Sequence, residues 1–412
     1  MKNIRLVVFT SALAVALLGC SKNNPVSPDE NPDQSDGRIS IYNDETYLNT
    51  DLTTSDDTVG IDSTSDLSKG LAKTEKTQKF SMKLIATVSP PTVNKQKVQA
   101  TSVSLNGSYA YISYNMAGDQ YLGAVDVVSV NGKSTKIVSR ATFTDTDVSA
   151  VFYYNNNVYM AEATSNTAYD PPAIAELISI SGGKLNLSRN FRSQLSSFAA
   201  TSIAAGNGVI YATTGNTGGL YTLTPDSLKI LSYVQLADAR WVDFNASNAI
   251  VAQGTPGRIS VFNVGSMTAP VSTFNFPGAD IAESKSTVRL IGGKALVAAG
   301  DSGVQLINLS SGKIVGSIPP TIVKGLDPSV TVTNAVDGAG QYVYISNGEA
   351  GVYVAQASQN LETPSGDTNI KLTVLGKLKF SKLQSVNHVA FNGSTLVVAS
   401  GTGGVRIVTV TF

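Results

Sequence analysis

Few residues in this chain are equipped to do chemistry. His388 is the single histidine and Cys20 the single cysteine, so His/Cys zinc clusters are excluded by counting, and with the only cysteine at the end of the N-terminal apolar run no thiol is left to serve as a nucleophile. An imidazole accepts a proton near neutral pH, which makes His388 a candidate general base, against a competing reading as a hydrogen-bonded histidine packed between repeats. Asp145-Thr146-Asp147 has carboxylates at a calcium-loop spacing, but no third oxygen donor and glycine follow, so the stretch reads as a turn. No Gly-x-Ser-x-Gly elbow, no Gly-Lys-Ser/Thr phosphate loop and no Gly-x-Gly-x-x-Gly after a strand occurs. The glycine-rich loops 215–219, 254–257, 300–303 and 401–404 lie between apolar runs, where glycine meets the positive φ of a hairpin turn. No catalytic residue, metal site or cofactor is assigned.

What positions the remaining polar and aromatic residues is a repeat. Residues 293–320, GKALVAAGDSGVQLINLSSGKIVGSIPP, read as three short strands and two turns, with a further strand just before them. The apolar run recurs around Tyr111, Tyr159, Tyr211, Val251, Val297, Tyr344 and Val397, at spacings of 48, 52, 40, 46, 47 and 53 residues. A period of that size with four strands per copy specifies a β-propeller, because a twisted four-stranded sheet has two apolar faces and buries neither until its neighbours stack around an axis. Seven copies give an all-β, seven-bladed ring. Innermost strands are expected over 100–105, 149–153, 201–205, 240–244, 286–290, 333–336 and 387–391. Outer strands begin at Lys136, Lys184, Lys229, Pro270, Lys313 and Lys371, where lysine or proline on an exposed edge discourages pairing with another molecule; a monomer is expected. The seventh copy lacks an outer strand, and MKLIATV at 82–88 is expected to supply it, a three-plus-one closure of the last blade.

Alternating strand direction puts the outer-to-inner loops and the second-to-third-strand loops on one rim. That rim gathers Asp147, Ser149, Thr201, Asp238, Arg240, Trp241, Lys285, Asn387 and His388 into a polar mouth. Two loops on it are enlarged, 114–123 and 162–173, against four or five residues elsewhere, which brings Tyr114, Met116, Tyr121, Tyr169, Asp170, Pro171 and Pro172 to the same face. Enlarged loops on a rigid ring are where binding tends to be placed. The candidate ligand-binding set is therefore Tyr114, Tyr121, Tyr169, Asp170, Arg240, Trp241, Asn387 and His388.

The N-terminus separates from the repeats. Lys2 and Arg5 precede an apolar run over 6–18, too short to span a bilayer, that ends at Leu17-Leu18-Gly19-Cys20. This resembles a bacterial lipoprotein signal, which implies cleavage after residue 19, lipidation of Cys20 and, with Ser21 next and no aspartate at the second mature position, an outer-membrane address. Residues 20–79 are rich in Ser, Thr, Asp, Asn and Pro, with twelve acidic and six basic residues, net −6, and read as a flexible tether in which only 38–47 is patterned to add a strand. Residues 80–412 carry 22 basic and 18 acidic residues, net +4; neither value suggests nucleic acid, and no nucleic-acid partner is expected.

GDSGVQLINLSSGK, GNTGGLYTLTPDSLK, GTPGRISVFNV and GTGGVRIVTV resemble the repeats of the LVIVD family of bacterial propellers, over residues 81–412. The family's aspartate after the third-strand run is present as Asp126 but is Asn308 and Asn263 in other copies. With one Trp and one His, no series of WD or GH pairs exists. The expected function is a lipid-anchored cell-envelope propeller that binds a protein partner or an envelope glycan through the rim; the alternative is a hydrolase or lyase acting on polysaccharide or ester at the mouth.

Overall fold

A computed structural model describes residues 31–63, 80–282, 284–381 and 385–412. The expected signal peptide and Cys20 lie outside them. Seven antiparallel blades surround an axis, each built from four consecutive strands apart from the last. Blade 5 shows the plan: Val288–Ile291 innermost, then Lys294–Ala298, Val304–Asn308 and Ile314–Ile318. The other innermost strands are Gln99–Asn106, Thr146–Tyr154, Ser202–Gly206, Ala239–Phe244, Ala335–Ala339 and His388–Phe391. The two middle strands of a blade are buried on both faces, which is why ALVA in blade 5 and TLVVA in blade 7 read as unbroken apolar runs. Their side chains fill the wedges between neighbouring blades, for instance Leu296, Leu306, Val336, Ile345 and Tyr353 between blades 5 and 6.

Ser81–Val88 lies beside Val405–Thr411 as the outer strand of blade 7, in a register from Val405↔Val88 to Thr411↔Ser81. The two ends of the ring domain therefore share one sheet. Glycines tie neighbouring blades as well as turning hairpins. Gly215, Gly300, Gly348 and Gly401 each adopt a φ between 48 and 57°. Each also bridges the start of the next innermost strand: Gly215↔Ala239, Gly300↔Thr333, Gly348↔Val386 and Gly401↔Ala100. A side chain at these positions would meet the positive-φ penalty, so the recurring turn glycine is fixed by the blade-to-blade latch.

The tether expectation is overturned for residues 34–62, which are laid around the outside of the ring. Gln34–Ser35 and Ile39–Tyr42 extend blade 1 beyond its outer strand Lys136–Phe143. Leu52–Thr58 extends blade 7 by pairing with Ser81–Val88, and Ile61–Asp62 extends blade 6 by pairing with Leu372–Leu378. Composition hid this belt because its strands are amphipathic or short: Ile39, Ile41 and Leu48 are completely buried while the residues between them stay polar and partly exposed. Two belt side chains reach into the blades. Arg38 forks onto Glu176 of blade 2 at 2.6 and 3.2 Å, and Asp51 accepts from Arg140 of blade 1 at 2.6 Å. The outer strands of blades 1, 6 and 7 are consequently covered, contrary to the expectation that every outer strand is an exposed edge.

Candidate functional site: the loop-bearing rim and the axial mouth

Tyr114 does not belong to the rim. It is fully buried inside blade 1, where its hydroxyl donates to Asp126 at 3.0 Å. Arg140 holds the same carboxylate through Nε at 2.6 Å and Nη2 at 2.9 Å, and Asp51 takes its remaining nitrogen. Burial and the Asp126 charge push the Tyr114 phenol well above its usual range. A carboxylate inside the apolar stretch AVDVV needs such partners to be tolerated, so Asp126, the repeat-like aspartate, is a packing element here.

The axis is plugged from two sides. Trp241 of blade 4 crosses to His388 of blade 7, with ring centroids 5.0 Å apart and a 30° tilt. Lys285, on the segment leading into blade 5, crosses to blade 2 and donates to the Ser149 carbonyl at 3.2 Å. Below the Trp241–His388 pair is a cavity of about 230 Å³ lined by innermost strands, including Asp243, Arg289 and Asp337. Above it, open to the loop-bearing rim, is one of about 540 Å³ lined by Ser149, Thr201, Asn216, Asp238, Arg240, Thr255, Ser284 and Lys285.

His388 is buried, and desolvation together with the Lys285 charge pushes its imidazole down to about 3. A group that stays neutral through the physiological range and faces an indole is not a poised proton acceptor at the mouth, so the general-base candidacy is corrected. Trp241 likewise packs in the channel and presents no open platform at the rim. Arg240 is buried and saturated: Asp238 accepts from Nη2 at 2.6 Å and Nε at 3.0 Å, while Nη1 reaches Ile281 O, Ser284 O and Ser286 Oγ. Asn387 donates to the Ala100 carbonyl at 2.8 Å and so pins blade 7 to blade 1 across the seam. Arg240 and Asn387 thus build the mouth more than they offer contacts to a ligand.

The enlarged loops do share one face. Asp147, at the start of blade 2, accepts the backbone N–H of Met116 at 2.9 Å and of Leu122 at 3.2 Å, which staples the blade 1 loop to blade 2. Burial pushes its carboxyl up to about 6 in spite of those two donors. Tyr121 lies in a cavity of about 360 Å³ with Asn94, Gln96, Asp119, Gln120, Thr144 and Ser165. In the second loop Asp170 is exposed, and Tyr169 is half-buried over the Arg192 guanidinium, 5.7 Å from its ring centroid. Arg192 is itself held by Glu176 at 2.7 Å and by Asp145 at 3.2 Å, so the loop rests on a fixed charge cluster. Beside that cluster the buried Glu162 carboxyl is pushed well above its usual range, by burial first and by the Glu176 charge second. Asn94, Gln96 and Gln120 were not singled out by sequence, because a polar residue in a loop carries no periodic signal. Segment 319–334, a further long connection on this rim, was missed for the same reason.

No protein-family model matches the chain, and no curated protein does. Among solved structures, the WD40 β-propeller domain of Doa1 is similar at a TM-score of 0.50 and 13% identity, over 78% of this chain and 96% of that one. BamB from Moraxella catarrhalis is similar at a TM-score of 0.49 and 12% identity, over 88% of this chain and 100% of that one. The computationally designed Ika8 protein is similar at 0.47 and 10%, over 77% and 98%. At such identities the likeness is one of fold.

Proposed function

We propose that the chain is a lipid-anchored module of the bacterial cell envelope that binds an envelope glycan on its loop-bearing rim. The observation that carries this reading is the cavity around Tyr121. Its carboxamides (Asn94, Gln96, Gln120) and hydroxyls (Thr144, Ser165) offer donors and acceptors side by side, the pattern that pairs with vicinal sugar hydroxyls, and Tyr121 adds one ring face. Asp147 and Arg192 hold both loops in place, so little ordering entropy opposes binding. Replacing Tyr121 and Tyr169 with Ala is expected to weaken binding to an envelope-polysaccharide array by about tenfold or more, the loss of one or two aromatic contacts. The melting temperature should stay nearly unchanged for Tyr121→Ala, whose ring is not in the core. Equal losses from substitutions on the opposite rim, such as Asn392→Ala, would remove the loops from the proposal. Selective retention of a protein in place of any glycan would change the ligand class.

The anchor rests on the Leu17-Leu18-Gly19-Cys20 sequence after a short apolar run. Cys20→Ala is expected to move the protein from the membrane to the soluble fraction, because on this reading the acyl chains on Cys20 are what hold it there. Co-sedimentation of the variant with membranes at the wild-type level would show that Cys20 is not the attachment point.

A further inference from the structure

The upper axial cavity shares no lining residue with the cavity around Tyr121, and its chemistry differs. Lys285 lies at its base with one acceptor, the Ser149 carbonyl, although an ammonium group has three donors. Among the described residues no carboxylate lies within ion-pair distance of Lys285. The other cation of the cavity, Arg240, is already neutralised by Asp238 at 2.6 Å. Among the described residues the site therefore carries one uncompensated positive charge, under a wall of hydroxyl and amide groups from Ser149, Thr201, Asn216, Thr255 and Ser284. Withdrawal from water lowers the Lys285 amine to about 8, which leaves it mostly protonated at neutral pH but makes the charge costly to keep unpaired.

We propose that the axial mouth is a binding site for a small polar ligand bearing one carboxylate, of the sugar-acid class, with Lys285 as its counter-ion. A single net charge matches a monoanion better than a phosphate dianion. The cavity, about 540 Å³, has room for a monosaccharide-sized body beyond the carboxylate.

Trp241 is the only tryptophan and lies against His388, whose imidazole senses the Lys285 charge, so its fluorescence reports the axis alone. The full-length protein in detergent is titrated with glucuronate, glucose and inorganic phosphate. Saturable change with glucuronate, none with glucose, and an affinity at least about tenfold lower in Lys285→Met is expected, the loss that goes with one charged hydrogen bond. Binding to the wild type should also weaken as pH rises through about 8, since the lysine loses the proton that makes it a partner. Among the described residues the other charged or titratable groups facing it are Asp238 and Arg240, ion-paired to each other at 2.6 Å, and His388, which is held neutral. The pH arm uses only the wild type and stands even if Lys285→Met does not fold. Equal responses to glucose and glucuronate, a Lys285→Met titration like the wild type, or binding that ignores pH between 7 and 9 would overturn the assignment. Phosphate binding more tightly than glucuronate would overturn the monoanion reading.

Discussion

Deleting residues 81–89 is expected to abolish cooperative thermal unfolding of the ring, leaving a chain that aggregates. The segment supplies Met82, Ala86 and Val88 to the core, each almost wholly buried, and pairs along its whole length with the last strand of the chain. Its ladder bonds contribute roughly 1 kcal/mol each, and burial of Met82 and Val88 about 1.5 to 3 kcal/mol each. The total rivals the roughly 5–15 kcal/mol that holds an ordinary domain folded, and removal also strips the seat of Leu52–Thr58. Circular dichroism during heating checks the loss. A gentler version uses the register Val410↔Met82: cysteines at that pair should oxidise to a disulfide in the folded protein. A folded double variant that never oxidises would place the seam elsewhere.

Removing residues 31–63 while keeping 64–412 is expected to lower the melting temperature by at least about 6 °C. Burial of Ile39, Ile41 and Leu48 is worth about 5 kcal/mol together, and each kcal/mol shifts the midpoint of a chain of this size by about 1.3 °C. Two further effects act in the same direction. Arg140 loses Asp51 and Glu176 loses Arg38, leaving buried ions with fewer partners. Three outer strands also lose their covers, and open strand edges recruit other chains, so light scattering should rise with concentration. Truncation only as far as residue 30 should leave the melting curve where it was. Superimposable curves for the wild type and the 31–63 deletion would mean that the belt contributes nothing to stability.

How much of this was legible in the chain depended on periodicity. Blade number and strand order followed from runs such as VIYATTG and ALVAAGD, because a middle strand buried on both faces must be apolar at every position. The belt obeys a weaker rule. In RISIY only Ile39 and Ile41 go inward, and TTSDDT joins the sheet through backbone bonds and one exposed Asp56–Lys83 ion pair, with side chains that look like linker. Tyr114 was misplaced because its burial depends on Asp126 twelve positions on and Arg140 beyond that, a triad that no spacing announces. One clue was present: a carboxylate within AVDVV has to find a cation, and Arg140 in KIVSRATF sits in the adjacent strand. The residues of the axial plug were placed at one mouth but their contacts were not, since Trp241–His388 and Lys285–Ser149 meet only when blades three apart in the ring are brought face to face.

The belt also decides where a pull from the N-terminal side enters the ring. Gln34–Ser35 is the outermost strand of blade 1, so force applied there acts at the circumference of the disc and on neither flat face. It would fall first on the Gln34–Ile41 hairpin and the Arg38–Glu176 clamp, sparing the seam at blade 7.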